Sequence, residues 1–185
     1  MRTTGRNRAE WGLTGPARRA MRGSDMTFNA KVLTVSDGVV AGTRDDKSGD
    51  ALVARLTEAG ATVVGRLVTA DGVDEVAHAL RTLSRGFSGL VITTGGTGFG
   101  PRDCTPEGTR KIIAAEAPGL VEAIRRASDA DGRGFGMLSR AVAGTIGECL
   151  IVNTPGSSSG AVEALAVILP VLPHALDLLS GGHPH

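Results

Sequence analysis

Leu90-Val91-Ile92-Thr93-Thr94 runs directly into Gly95-Gly96-Thr97-Gly98-Phe99-Gly100-Pro101-Arg102-Asp103-Cys104-Thr105-Pro106-Glu107. The first five residues form a near-continuous apolar run of strand length, the pattern of a strand covered on both faces. Gly95, Gly96 and Gly98 end it in a loop. Thr105-Pro106-Glu107 then predicts a helix start, with a hydroxyl at the N-cap, proline at the first helical position and an acid in the first turn. Strand, glycine loop and helix in that order predict an α/β domain whose loop lies at the carboxyl end of a strand, where open α/β sheets place their ligands.

The same alternation continues on both sides. Lys31 to Ser36 reads as a first strand and Asp37 to Ser48, rich in glycine and charge, as a loop. Gly49 to Ala59 puts Leu52, Val53 and Leu56 on one helical face, with Gly60 as its stop. Ala61 to Thr69 is the next strand, and Val73 to Arg85 repeats helical spacing through Val76, Leu80 and Leu83. Downstream, Pro118 and Gly119 are expected to break the helix opened at Thr105, and a second helical stretch runs to Ser128. The segment from Asp131 to Gly136 is a loop by its glycines. Ala141 to Gly147 and Cys149 to Asn153 read as two strands joined tightly at Gly147-Glu148, and a last helix covers Gly160 to Leu179 with a kink at Pro170 and Pro173. The expected class is α/β, with parallel strands covered by helices.

Composition narrows the function classes. With 185 residues, 41% apolar, 21% charged and a net charge of +1, the chain has the make-up of one globular domain. Aromatics are 3% of the residues and Tyr is absent, which argues against the stacking platforms of single-strand nucleic-acid binders. Cys104 and Cys149 are too few for a disulfide framework or a four-ligand zinc site, so the expected compartment is the cytoplasm. No apolar run is read as approaching the roughly 20 residues of a membrane span. Arg2, Arg6, Arg8, Arg18, Arg19 and Arg22 stand against only Glu10 and Asp25 before Thr27. Residues 1–27 are therefore expected to be a basic extension outside a domain at 28–182.

The glycine stretch has the make-up of an anion cradle. Glycines let successive backbone N–H groups face one concavity, and a helix start adds unpaired N–H groups and a positive dipole end. A carboxylate beside a phosphate makes chemical sense when Mg²⁺ bridges them. Asp103 is that carboxylate, or else it caps Thr105-Pro106. The loop lacks the Gly-Lys-Ser/Thr of a P-loop and does not open a helix at its glycines as a dinucleotide fingerprint does. Asp71, in Thr69-Ala70-Asp71-Gly72, is a second metal ligand or the N-cap of the helix at Val73. Asn153-Thr154-Pro155-Gly156-Ser157-Ser158-Ser159-Gly160 is a backbone-rich anion or ring-edge site, or a plain strand-to-helix connection with a serine cap. Leu138-Ser139-Arg140 offers a hydroxyl and a guanidinium. His78, His174, His183 and His185 lack metal-site spacing, and no Gly-x-Ser-x-Gly hydrolase elbow is present.

Thr34-Val35-Ser36-Asp37, the Thr93–Gly98 run, Arg102-Asp103-Cys104-Thr105-Pro106-Glu107, Leu138-Ser139-Arg140 and Asn153-Thr154-Pro155-Gly156 follow one another in the order of a known family. From Phe28 to Gly182 the chain resembles the MogA/MoaB family of molybdenum cofactor biosynthesis, which includes the G domains of gephyrin and its plant counterpart. The resemblance implies a three-layer αβα sandwich with a mostly parallel sheet and a short antiparallel hairpin, assembled as a homotrimer. It implies molybdopterin binding and, in active members, use of Mg-ATP to adenylylate the pterin phosphate with release of pyrophosphate. The product would then be handed to the enzyme that inserts the metal. No nucleic acid or membrane is implied as a partner. By the same resemblance Asp71 and Asp103 handle the magnesium nucleotide, as catalytic groups and metal ligands. Gly95, Gly96, Thr97 and Gly98 hold phosphate, while Thr94, Ser139, Asn153, Pro155 and Gly156 complete the substrate- and nucleotide-binding set. Cys104 stands where the family commonly has an aliphatic residue. The stretch NTPGSSSG departs from the NxPGxP of adenylyltransferase members and looks more like MoaB-type members, some of which bind pterin without clear transferase activity. A non-enzymatic scaffold and a CinA-like nucleotide-processing role also use this fold, usually with further domains.

Overall fold

The computed structural model describes residues 27–130, 132 and 134–182; apart from Thr27, the expected basic extension lies outside them. Strand β1 (Asn29–Val35) is followed by a short helix α1 (Asp37–Val40), α2 (Lys47–Glu58), β2 (Thr62–Thr69), α3 (Val73–Ser84) and β3 (Gly89–Thr94). Then come α4 (Thr105–Arg110), β4 (Ala115–Glu116), α5 (Pro118–Ser128), a 3₁₀ turn at Phe135–Leu138, β5 (Ala143–Ile146) and β6 (Cys149–Thr154). The last segment is α6 (Ser158–Ile168), a 3₁₀ turn at Leu169–Val171 and α7 (Leu172–Leu179).

The six strands form one sheet in the order β2-β1-β3-β6-β5-β4. β2, β1, β3 and β6 run parallel, and β5 and β4 continue the sheet antiparallel. Strand residues alternate between two cores, as a sheet covered on both faces requires. Ala30, Val32, Leu90, Ile92, Leu150 and Val152 pack with Leu52 and Leu56 of α2, Val121 and Ile124 of α5, and Ala161, Leu165 and Ile168 of α6. Leu33, Val35, Val91, Cys149 and Ile151 face the other way, onto Val76, Leu80 and Leu83 of α3. The architecture is the expected three-layer αβα sandwich with a mostly parallel sheet and an antiparallel hairpin. Burial pushes the Cys149 thiol up to about 11, so it behaves as a core residue.

Four local expectations are corrected. The segment from Asp37 begins with the single turn α1, whose N-cap Ser36 accepts the Val39 N–H. Helix α4 is capped by Cys104, and Thr105 is its first residue, because the Thr105 hydroxyl donates instead to Gly95 O at 2.9 Å. That helix ends at Arg110; Pro118 opens α5 instead of breaking α4, and Ala115-Glu116 between them pairs with Thr145 and Gly144. Finally, Ser158–Leu179 is 22 residues with mean hydropathy 1.8, long and apolar enough by composition to cross a membrane. In the fold it is divided at Pro170 and Pro173, as the prolines predict, and its inner residues Ala161, Leu165, Ile168, Leu172 and Leu176 lie in the core.

Candidate functional site

β1 leads to β2 on one side and to β3 on the other, so the chain's direction of travel across the sheet reverses between β1 and β3. At the carboxyl ends of such a pair the flanking loops diverge and leave a crevice. A cleft of about 440 Å³ opens there. Its walls include Thr34 and Ser36 at the end of β1, Asp71 after β2, Thr94, Gly95 and Gly96 at the end of β3, Asp103 before α4, and Gly156 to Ser158 at the start of α6.

The glycine loop is held in a conformation that other residues would not tolerate. Gly95 has φ +99°, and a Cβ there would lie 2.2 Å from Val35 O; Gly96 has φ +62°, and its Cβ would meet Thr105 Oγ1 at 2.4 Å and Asp71 Oδ1 at 3.2 Å. The Thr105 N–H donates to Gly96 O at 3.0 Å. Thr94 Oγ1 donates to Pro155 O at 2.7 Å and Thr154 Oγ1 to Thr93 O at 2.7 Å, joining the loops after β3 and β6.

Both acidic residues are oriented by backbone. Asp71 Oδ2 accepts the Asp37 N–H at 2.8 Å, while Asp37 Oδ1 accepts the Asp71 N–H at 3.1 Å. Asp103 Oδ2 accepts the Gly100 N–H at 2.8 Å. Each carboxylate thus keeps one oxygen, Oδ1, without a protein donor among the described residues, and neither acid caps the helix that follows it. α3 is capped by Gly72, and α4 by Cys104. Arg102 ties the two sides together. Its Nε and Nη2 both donate to the Asp37 carboxylate at 2.9 Å, and Nη2 also reaches Asp71 O. That guanidinium holds the Asp37 carboxyl below the usual carboxylate range and is itself pushed up in return.

A second arginine braces the far side of the glycine loop. The Arg140 N–H donates to Thr97 O at 2.9 Å and its Nε to Gly98 O at 2.7 Å, while the guanidinium also meets Asp103 O and Glu107 Oε1. Below β1, Asp46 binds Arg66 Nη2 at 2.6 Å, Thr34 Oγ1 at 2.7 Å and the Gly49 N–H at 3.0 Å. Burial raises the Asp46 pKa, and these three donors outweigh it, so the carboxyl stands below its ordinary value.

Of the residues expected at the site, the structure brings Asp71, Asp103, Thr94, Gly95, Gly96 and Gly156 to the cleft wall. Thr97 and Gly98 lie behind it, with their carbonyls on Arg140, and Pro155 contributes its carbonyl to Thr94. The Asn153 side chain is fully buried, donating to Thr93 Oγ1 at 3.1 Å and Thr109 Oγ1 at 3.0 Å and accepting from the Val142 N–H at 3.1 Å, so it joins β6, β3 and α4 inside the domain. Ser139 also stands away from the cleft, its hydroxyl accepting the Ala141 N–H at 3.3 Å and its carbonyl accepting Arg125 Nε at 3.0 Å. Reading the sequence missed Asp37 and Arg102 as holders of Asp71, and Arg44, Lys47 and Ser48 as lining residues. The charged stretch Arg44-Asp45-Asp46-Lys47 was the available signal.

No group of three or more His, Cys, Asp or Glu suited to a metal occurs among the described residues. Two carboxylates, each with a free oxygen, fit Mg²⁺, which keeps several waters and is completed by substrate phosphates. Chemically the cleft offers a glycine loop whose Gly96 N–H has no acceptor among the described residues, and two oriented acids that suit a magnesium-bound anion.

The family profile described as a probable molybdopterin binding domain matches residues 31–174. A molybdenum cofactor biosynthesis bifunctional protein of Synechococcus elongatus is 36% identical over 152 residues, covering 82% of this chain and 47% of the relative. The chain therefore spans about half the length of that protein. A molybdopterin adenylyltransferase of Helicobacter pylori (strain J99) is 33% identical over 163 residues, covering 85% of this chain and 90% of the relative. Among solved structures, the molybdopterin biosynthesis enzyme MoaB of Thermus thermophilus superposes with a TM-score of 0.77 at 40% identity, covering 83% of this chain and 97% of that one.

Proposed function

The chain belongs to the molybdopterin-binding domain family of molybdenum cofactor biosynthesis, and from that membership we propose that it adenylylates molybdopterin with Mg-ATP. The observation that carries the reading is the pairing of Asp71 and Asp103 at one cleft with the Gly95-Gly96 loop, each acid oriented by a backbone N–H and each keeping an oxygen free. A pterin phosphate oxygen attacks the α-phosphorus of ATP, and pyrophosphate leaves. Both reactants are anions, so positioning and charge neutralisation dominate the catalysis. Bound at Asp71 and Asp103, Mg²⁺ would neutralise phosphate charge. The protein's own part is to present the loop amide of Gly96 to a phosphate oxygen, since the Gly95 N–H already donates to Thr154 O, to hold Asp71 through Asp37 and Arg102, and to hold Asp103 through Gly100 and Arg140.

The proposed product passes to an enzyme that inserts the metal, in keeping with the bifunctional description of the Synechococcus relative. We also propose self-association, with the trimer as the expected state. Supporting it, Phe99 is 67% exposed, and Met137 and Leu138, beside the Arg140 brace, are exposed too. A second reading, pterin binding without transfer, is favoured by the NTPGSSSG stretch and by the likeness to the Thermus MoaB. Incubating the protein with molybdopterin and Mg-ATP, and following adenylylated pterin by chromatography together with pyrophosphate, separates the two. Product and pyrophosphate in equal amounts support the transferase; pterin retained without product supports the second reading.

A further inference from the structure

Beside the cleft lies a second pocket of about 380 Å³, walled by Gly42, Thr43, Arg44, Asp45 and Lys47. Arg44, Asp45 and Lys47 also line the main cleft, so the two spaces share a wall. The other cations near this end of the sheet are already committed: Arg66 to Asp46 and Asp50, Arg102 to Asp37, Arg140 to Glu107, and Lys111 to Asp74. Arg44 and Lys47 make no side-chain hydrogen bond or ion pair among the described residues. Asp46, between them in sequence, does not neutralise them, because its carboxylate is turned to Arg66, Thr34 and Gly49.

The segment that carries Arg44 is set by its own backbone. The Thr43 and Arg44 N–H groups both donate to Gly38 O, at 2.9 and 3.1 Å, and Thr43 Oγ1 donates to the same oxygen at 3.1 Å. Gly38 leaves room for the arginine stem, since a Cβ there would lie 3.0 Å from Arg44 Cδ. A cationic wall of two unpaired groups, fixed beside a phosphate cradle, suits a second, more highly charged phosphate group. Asp45 on the same wall suits a polyphosphate that carries its magnesium better than a bare one.

We propose that Arg44 and Lys47 form a polyphosphate subsite that holds the β- and γ-phosphates of the nucleotide and receives pyrophosphate as it leaves. The inference rests on the nucleotidyl-transfer reading and adds to it the direction of departure. As the pterin phosphate oxygen bonds to the α-phosphorus, the bond from that phosphorus to the bridging oxygen breaks and its electron pair stays on pyrophosphate. No redox change occurs. The charge that develops on the bridging oxygen then faces Arg44 and Lys47, where cations lower the barrier.

The test is binding of magnesium pyrophosphate to the full chain by titration calorimetry, for the wild type, Arg44→Ala, Lys47→Ala and Arg44→Lys. Circular dichroism melts confirm that each variant folds, as expected for exposed side chains without partners. The expected result is binding by the wild type, at least tenfold weakened in each alanine variant and partly kept in Arg44→Lys. A wild type that does not bind pyrophosphate, or alanine variants that bind it as well as the wild type, overturns the subsite. Because binding is read without turnover, wild-type binding that is lost in the variants supports the subsite even if no adenylylated pterin forms, an outcome that would remove only the transferase reading.

Discussion

The two ends of the sheet carry cavities of unlike character. At the amino end a space of about 580 Å³ is lined by Arg81, Ser84, Arg85, Phe87, Ile146 and Glu148, larger than the 440 Å³ cleft at the carboxyl end. Its arginines come from the end of α3 and the turn after it, and the Lys31 ammonium is engaged by Leu83 O and the face of Phe87. At the carboxyl end the groups converge: two acids are oriented by backbone, glycines line the wall, Arg102 ties Asp37 to Asp71, and Arg140 braces the glycine loop. Volume does not mark the site. What marks it is polar groups held in place by other groups, as preorganised chemistry requires.

That contrast can be broken at its strongest point by Gly96→Ala. The new Cβ would stand 2.4 Å from Thr105 Oγ1 at a backbone φ of +62°, a conformation that costs a non-glycine residue about 1–3 kcal/mol. Displacing the loop by an ångström is expected to lower adenylyl transfer by about a hundredfold, with the melting transition still cooperative. Full activity in this variant would mean the loop does not need its shape.

Arg102→Ala asks whether Asp71 must be held. The Arg102–Asp37 pair is exposed, so stability should change by less than about 1 kcal/mol. Turnover should still fall by about tenfold, because Asp71 loses its support. Lysine at this position should rescue little, since it cannot make the two-pronged contact with Asp37. A variant with wild-type turnover would show that the Asp37–Arg102 contact is incidental.

Asp46→Asn probes stability below the cleft. The native carboxyl titrates below its unfolded value, so its contribution is present above about pH 4 and is lost as pH falls through the native pKa. Urea unfolding should therefore show the variant about 1 kcal/mol less stable at pH 7. The gap should close as pH falls below about 4. An unchanged gap from pH 7 to pH 3 would contradict the role given to this carboxylate.

The smallest effect is expected at the other end of the sheet. Arg85→Ala should change stability by no more than about 0.5 kcal/mol and leave transfer unchanged, and a marked loss of transfer would erase the contrast between the two ends.

Much of the fold was legible because long apolar runs and helical spacing carry it. β1, β2, β3, the hairpin and helices α2 and α3 follow from Val, Leu and Ile placement, and the proline break within Ser158–Leu179 follows from Pro170 and Pro173. The two-residue strand β4 was not legible, since Ala115-Glu116 has no pattern of its own and is a strand only through its pairing with β5. Cys104 takes the cap of α4 because the Thr105 hydroxyl is drawn to Gly95 O, a contact between residues ten apart. In the candidate site, Asp71, Asp103 and the glycines were legible as residue types that only a ligand or a turn explains. The bonds of Asn153 to Thr93 and Thr109 were not legible, because a polar residue at a strand end looks alike whether it faces a cleft or satisfies two threonines inside the domain. Arg102 and Arg140 were visible beside the motifs, but the direction of a guanidinium is set by carbonyls from distant segments, which no local pattern records.

The most direct measurement is a side-by-side determination of molybdopterin affinity and turnover for the wild type, Asp71→Ala and Asp103→Ala. Acids that serve the transferring phosphate should cost turnover more than about a hundredfold when removed, while the Kd for molybdopterin stays within about threefold. Equal losses in turnover and affinity would show that these carboxylates only hold the pterin, and would contradict the role assigned to this end of the sheet.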